Sequence, residues 1–486
     1  MGIIRNQSIK NSISFYIGMM IGAVNTILIY PNVFNNQPEH WGLLSILVAY
    51  ATLIGTFSSL GVPRIFIRYF PAIKEKGQLY FLSLITPLFG FLLSCLAYCL
   101  FKDELFVLLN ASPLLQENFF YIFLLVFCIS FYDVLTSVSR SFLDAATPIF
   151  LDEIFHKLYC LIILVIHGFK IIDFTTFLQL YVAGFLFKFL MLFALQLYKG
   201  NLYFKLSLGV LKIKEIIVYG FYVLIGGASV MLVSRLDMLM IGALLGLEQV
   251  AFYTLAFYIG SVVKVPGKSI VAISGPLLAK AWEEQDFKQI QTIYSKSAIN
   301  QLIIGGLFFL CIWINIDAIF SILPEKFSHG KWVVLYIGLA QLFNVATGVN
   351  GSIIVNSKYY KYDLITNILL VVFTISSNYV LIPKYGINGA AMATALSVFL
   401  FNLIRLILIK VKMGLQPFTL KTLYTVLILL AVYGISICLP LSGNLYVDVV
   451  WKTFVVVVIF IPLLLRLELS EDINKIVIDV RKRLGV

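Results

Sequence analysis

Charge is what this 486-residue sequence is short of: Asp, Glu, Lys and Arg together make up 12% of it. That is about half of the roughly 25% found in soluble domains. So few charges cannot solvate a globular surface, so most of the surface must face hydrocarbon. An unpaired backbone group in lipid costs several kcal/mol, which excludes open sheets. Histidine is equally sparse: His40, His156, His167 and His329 are scattered, and none begins an H-x-x-x-x-D motif. No P-loop is present, which argues against direct nucleotide hydrolysis. The six cysteines (95, 99, 128, 160, 311 and 438) lie inside apolar runs without a C-x-x-C pair. Neither a disulfide framework nor a zinc site is indicated, and Cys95 and Cys99, one turn apart, read as apolar packing.

What is abundant is apolar: 60% of the residues are hydrophobic, and mean hydropathy is +0.97. The runs are about 18–24 residues long, the length of a spanning helix and about twice that of a barrel strand. The expected fold class is an all-α polytopic membrane protein with about 14 transmembrane helices. The net charge of +12 does not imply nucleic acid, because the basic residues recur between apolar runs. Clusters at Arg64, Arg68, Lys74 and Lys76, at Lys199, Lys205, Lys212 and Lys214, and at Lys264, Lys268, Lys280, Lys288 and Lys296 mark cytoplasmic segments. Both termini are then expected in the cytoplasm, with the first apolar run a span and not a cleaved signal. Trp41, Trp313, Trp332 and Trp451 fall at outer span ends, the headgroup level that tryptophan prefers. Trp282 is the exception, on an expected surface helix opened by Pro276. The tail is expected to form an amphipathic helix capped by Ser470, with Arg481, Lys482 and Arg483 toward anionic headgroups.

The stretch from Phe15 resembles the stretch from Phe221, and that from Phe185 resembles that from Phe399, at offsets of about 206 and 214 residues. Two six-helix lobes related by a pseudo-two-fold repeat are expected, at 1–205 and 206–412. Two extra spans (413–466) and a cytoplasmic amphipathic tail (467–486) follow. Repeats of this kind are common in transporters, with the substrate where the repeats meet.

Three stretches carry a family resemblance: SRLDMLMIGALLGLEQVAFYTLA (234–256), LIPKYGINGAAMATALS (381–397) and SRSFLDAATPIFLDEIFHKL (139–158). With the order of the spans, they resemble the polysaccharide-type, O-antigen flippase group of the multidrug/oligosaccharidyl-lipid/polysaccharide exporter superfamily. The resemblance implies a lipid-linked oligosaccharide cargo moved across a bacterial or archaeal cytoplasmic membrane for surface polysaccharide synthesis. It also implies two lobes rocking about a central, often cationic cavity, and contact with polysaccharide assembly proteins and membrane lipid. No cofactor is implied; coupling to a proton or sodium ion stays open. Rival readings are a cation-coupled drug exporter, a lipid II-type flippase and, less favoured, a membrane-embedded glycan polymerase. The exporter branch typically has an acid in span one, where this chain offers only Asn25. A polymerase would need a larger outer loop than the expected ones at 101–116 and 317–332.

A charge at membrane depth costs at least ~2.5–3.5 kcal/mol and usually faces a cavity or a partner. Lys188 sits mid-span, as a cavity cation or a lysine paired within the bundle. Arg235 and Asp237 interrupt the seventh run below Gly226 and Gly227, which permit a kink. Two apart, they point to different helix faces, so Arg235 is a candidate for substrate phosphate and Asp237 for a cavity or inter-helix role. Arg405 is a candidate substrate residue that could instead snorkel. Asp133 and Arg140 flank one span end as a gate or a pair. Thr147 and Pro148 are expected as N-cap and first residue of span five. There Glu153 with Lys157, and Asp152 with His156, would form i,i+4 pairs, or an acid would relay protons.

Overall fold

The computed structural model describes residues 2–71, 73, 76–202, 213–440 and 442–475, and these fold into helices with no strand among them. In chain order the main helices are α1 (Gly2–Ala23), α2 (Pro38–Ser58), α3 (Lys76–Leu108), α4 (Phe120–Ser141), α5 (His156–Gly168), α6 (Phe174–Tyr198) and α7 (Ile213–Leu245). Then come α8 (Leu247–Ser261), α9 (Val265–Glu283), α10 (Phe287–Ile314), α11 (Lys331–Ala346), α12 (Lys361–Met413), α13 (Leu420–Ile437) and α14 (Leu445–Arg466). Side chains cap several of them: Asp173 accepts from the Thr176 amide, Asp286 from Gln289, and Asn444 from Tyr446 and Val447. Each cap satisfies donors that a helix start leaves orphaned.

Among the described residues, ten helices are long and apolar enough to cross a membrane, or up to twelve when two bent pairs count as spans. Their outer faces carry what lipid requires. Phe89, Leu92, Leu93 and Leu96 of α3 and Leu423, Leu427 and Leu430 of α13 are exposed. The fourteen expected segments and this number differ at two places. Helix α12 has 53 residues, about 80 Å at 1.5 Å per residue and far beyond a bilayer core of ~30 Å. It is broken at Gly386, where φ +60 and ψ −140 suit only glycine. Residues 146–168 are divided by a π turn at Leu151–Phe155.

The chain groups into two compact units, Met1–Thr254 and Leu255–Val486. Helix α7 goes with the first because it packs on α2 and on the short helix Val62–Tyr69. Gly226 and Gly227 lie just above a bend of 44° in α7, between Tyr219–Ser229 and Met231–Leu245. In the second unit α10 packs against α9, α11 and α13. One core there is built on Ile303, Leu310, Val432, Val456 and Phe460.

Two expectations are corrected. Thr147 does not cap span five. The cap is the Asp144 carboxylate, which accepts the Thr147 amide at 3.1 Å and its hydroxyl at 2.7 Å, because the helix starts earlier, at Ala146. Asp152 does not pair with His156, as the π turn re-aims it across the bundle. The Ser470 cap holds, with the Ile473 amide donating to its hydroxyl at 3.2 Å. Lys74, Lys205, Lys212 and the tail from 476, with Arg481, Lys482 and Arg483, lie outside the described residues.

Candidate functional site

Two π turns organise the interior of the first unit: Val24–Ile29, which continues α1, and Leu151–Phe155, which leads into α5. A π turn costs regular hydrogen bonding and is frequently found at functional sites. The first turn contains Asn25 and the second contains Asp152 and Glu153. Polar cross-links fasten them together. The Asn25 amide donates to the Lys157 carbonyl at 2.9 Å, and the Lys157 ammonium donates to the Gly18 carbonyl at 3.1 Å and to Glu153 Oε2 at 2.6 Å. The expected Glu153–Lys157 pair therefore forms. Gly18 is required here, since a Cβ on it would lie 2.6 Å from the Glu153 carbonyl oxygen.

One residue before Glu153, the chain turns its next acid the other way. Lys188 of α6 donates to Asp152 Oδ1 at 2.6 Å. The Lys188 side chain is 7% exposed, whereas Asp152 is 54% exposed. Around the ammonium, the Tyr132 ring lies 4.5 Å away and the Phe185 ring 5.0 Å away. Tyr132 is itself fixed by donating its hydroxyl to the Pro148 carbonyl at 2.6 Å. His156 packs edge-on against Phe185 with its Nε2 3.8 Å from Cys160 Sγ. Asp133, open at the surface, feels the charges of Lys188, Asp152 and Arg140. Arg140 is exposed and makes no ion pair with Asp133. The result is a mixed-charge cluster with a buried cation and two accessible acids. Such a cation can exchange its carboxylate for another anion without leaving its aromatic seat.

Below this cluster a second pair closes the polar seam between α4 and α6. Lys199 meets Asp144 at 2.6 Å. Burial pushes the Asp144 carboxyl up, but the Lys199 ammonium and the Thr147 hydrogen bonds outweigh it and hold it below the usual carboxylate range. Fully buried Gln196 donates to the Ser139 hydroxyl at 3.2 Å.

The two seventh-run candidates part, as their spacing requires. Asp237 is buried and accepts the Tyr253 hydroxyl at 2.6 Å. Arg235 makes no ion pair among the described residues, and its charge is felt by Tyr181 of α6. Arg405 belongs to the second unit and does not snorkel. Its side chain, 10% exposed, pairs with Asp363 and donates to Thr366 and Asn367, over the Phe401 ring at 4.0 Å.

Sequence reasoning missed Asp363, Asp144 with Lys199, and an asparagine network at Asn344, Asn350 and Asn402. The available signal was polar side chains inside apolar runs. Among the described residues no group of three His, Cys, Asp or Glu could hold a metal ion.

A family model described as polysaccharide biosynthesis protein matches residues 6–282, and one described as MatE matches residues 223–380. An uncharacterized membrane protein of Methanocaldococcus jannaschii is 27% identical over 203 residues. That alignment covers 39% of this chain and 38% of the relative, well under half of its length. Among solved structures, the lipid II flippase MurJ in an inward closed conformation aligns with a TM-score of 0.71 at 14% identity, covering 94% of this chain and 97% of that one. An inward-facing multidrug resistance MATE family transporter of the MOP superfamily aligns at 0.63 with 15% identity, covering 83% and 98%. A MOP superfamily transporter from Pyrococcus furiosus, described as having a binding pocket of reversed polarity, aligns at 0.56 with 16% identity, covering 84% and 95%. At these identities the structural likeness establishes the fold. The family match spans more than half of the sequence, and the chain belongs to the polysaccharide biosynthesis protein family, with the fold of MOP superfamily transporters.

Proposed function

We propose that this protein is a flippase moving lipid-linked, pyrophosphate-bridged oligosaccharide units from the inner to the outer leaflet of a bacterial or archaeal cytoplasmic membrane. It would work by alternating access and serve surface polysaccharide synthesis, beside other assembly proteins. The observation that carries the reading is Lys188, an ammonium buried at mid-span whose carboxylate partner stays open on its other side. Phosphate and carboxylate oxygens are interchangeable acceptors for an ammonium, so an anionic head arriving at Asp152 can take its place. Arg235, free of an acidic partner among the described residues, supplies a second cation whose planar fork suits phosphate. Asp133, Asp152 and Arg140 gate access, and a proton on Asp152 releases Lys188 for the next cycle, with sodium as the competing coupling ion. Asn25, Glu153, Lys157, Asp237 and Arg405 are bonded inside their own units and hold the helices in register.

A second reading, a cation-coupled drug exporter, draws on one observation: the accessible carboxylates Asp133 and Asp152. Depleting the protein from its host separates the two when lipid extracts and drug susceptibility are measured together. Accumulated lipid-linked oligosaccharide with loss of surface glycan supports the flippase and names its cargo, lipid II included. Unchanged glycan lipids with new sensitivity to cationic drugs support the exporter.

A further inference from the structure

The second unit contains a cavity of about 410 Å³ that the Lys188 cluster does not involve. That volume lies within the range of small-molecule sites, about 300–1,000 Å³. Most of the wall is apolar, and Val271 of α9, Val345 of α11 and Val349 contribute to it. The polar minority is Gln301 of α10, Asn344 of α11, and Asn350 and Ser352 of the short helix Asn350–Asn356. No acid lines the cavity among the described residues. Lys264 and Lys268 border it, but neither is without a partner, so uncharged groups carry its chemistry.

These polar groups are held in place. Gln301 is 3% exposed, and its Nε2 has no hydrogen-bond partner among the described residues. A buried amide donor without an acceptor is costly and calls for one. The carboxamide oxygen of Gln301 is crowded against Gly267, where a Cβ would lie 2.7 Å away, so the side chain is confined. The two asparagines are braced by Asn402, which accepts from Asn350 Nδ2 at 2.9 Å and donates to Asn344 Oδ1 at 3.1 Å. Those bonds leave Asn344 Nδ2 as a donor and Asn350 Oδ1 as an acceptor, while the Ser352 hydroxyl can act as either.

Two amide donors, an amide acceptor, a hydroxyl and valine methyl groups in one cavity match a neutral ligand of a particular kind. It carries a secondary amide with a methyl group on one side and hydroxyls on the other. We propose that this cavity is a subsite for an acetamido sugar. The acetamido carbonyl accepts from Gln301 and Asn344, its N–H donates to Asn350, its methyl rests on the valines, and a ring hydroxyl meets Ser352. A sugar with a plain hydroxyl in place of the acetamido group leaves the buried Gln301 donor unanswered, and a site built for a hydrogen bond rejects the analogue that cannot make it. Recognition of the amide stands on the cavity alone; naming the sugar as part of the cargo rests on the flippase reading.

The test uses the full chain in phosphatidylcholine nanodiscs, with N-acetylglucosamine as probe and saturation-transfer difference NMR as readout. The acetyl methyl is expected to take up more saturation than the ring protons, and glucose to bind about tenfold more weakly. Gln301→Met, which keeps the length of the side chain and removes its amide, is expected to weaken N-acetylglucosamine binding by about tenfold. Gly267→Ala, which displaces the Gln301 carboxamide, weakens it several-fold, and Lys452→Gln, on α14, leaves it unchanged. Thermal unfolding of each variant separates lost binding from lost folding. Wild-type affinity in folded Gln301→Met, or equal binding of glucose and N-acetylglucosamine by the wild type, overturns the site. N-acetylalanine methylamide identifies the source of the amide. Weaker binding than the sugar supports the sugar, and equal or tighter binding assigns the cavity to a peptide and overturns that part. Inorganic pyrophosphate is expected to leave the signal unchanged, and competition by it overturns the neutral ligand. Should host depletion accumulate no lipid-linked glycan, the flippase reading falls while the N-acetylglucosamine result stands on its own.

Discussion

Lys188 and Asp152 differ eightfold or so in exposure though they touch, and that asymmetry sets what each substitution does. Replacing the buried ammonium by an apolar side chain of similar volume removes its desolvation cost, and the partner left behind, Asp152, is half-exposed and keeps its hydration. Lys188→Met is therefore expected to keep protein level and melting temperature while cutting glycan export at least tenfold. Export by the folded variant at the wild-type rate would make Lys188 purely structural. Lys188→Arg retains part of the activity. A different outcome is expected at Arg405, whose guanidinium is ringed by Asp363, Thr366 and Asn367. Asp363→Ala leaves that charge unpaired, at a cost of about 3 kcal/mol. The double variant D363A/R405M recovers most of the loss, and the non-additivity is read by thermal unfolding in detergent. The two residues also show how far single positions can be read from sequence. Lys188 stood out because it is far from either end of its run. Its partner was hidden by the π turn, which adds a residue to the helical register and so turns Asp152 toward α6. Arg405 read as a snorkelling residue because Asp363 lies 42 positions away, a distance that the break at Gly386 folds back.

At the scale of helices, departures from regular geometry do most of the placing. Gly18 lets α1 approach the π turn before α5, and Gly18→Val would drive methyl groups into the Glu153 backbone. Overpacking of this kind costs about 1–3 kcal/mol, and the variant is expected to lose thermal stability and the Lys157 cross-link together. Span five also begins on a titratable cap. Asp144 is held below the usual carboxylate range, so its contribution is present at neutral pH and lost as pH falls through the folded value, below 3.8. Asp144→Ala should therefore cost about 1 kcal/mol at pH 7, with the half-exposed Lys199 adding little beyond that because solvent screens it. The gap between variant and wild type narrows as a denaturation series is carried below pH 3.8. A gap constant with pH would show that the hydrogen bonds owe nothing to the charge. Apolar run lengths made helices easy to read here. Pi turns and the Asp144 cap were not, because each depends on backbone angles that composition does not encode.

For the whole molecule the membrane potential is the quantity that tests the charge argument. Composition alone made the membrane-spanning helical class legible, since 12% charged residues leave no other surface; the grouping of α7 with the first unit comes from packing that sequence order does not specify. If the cargo carries a diphosphate, its outward movement from a negative interior is downhill by ~2.3 kcal/mol per charge per 100 mV. A lysine that travels with the head cancels part of this, and its return toward the negative interior is then driven by the field. Right-side-out vesicles from the host, loaded with the lipid that accumulates on depletion, should export faster as an inside-negative potential is imposed. Collapsing the potential with a potassium ionophore should slow export several-fold without added nucleotide mattering. Lys188→Arg should retain the wild-type dependence on potential, because the same charge moves. A rate indifferent to potential in the wild type would mean that no net charge crosses, and a head only partly neutralised by its travelling lysine would have to be abandoned.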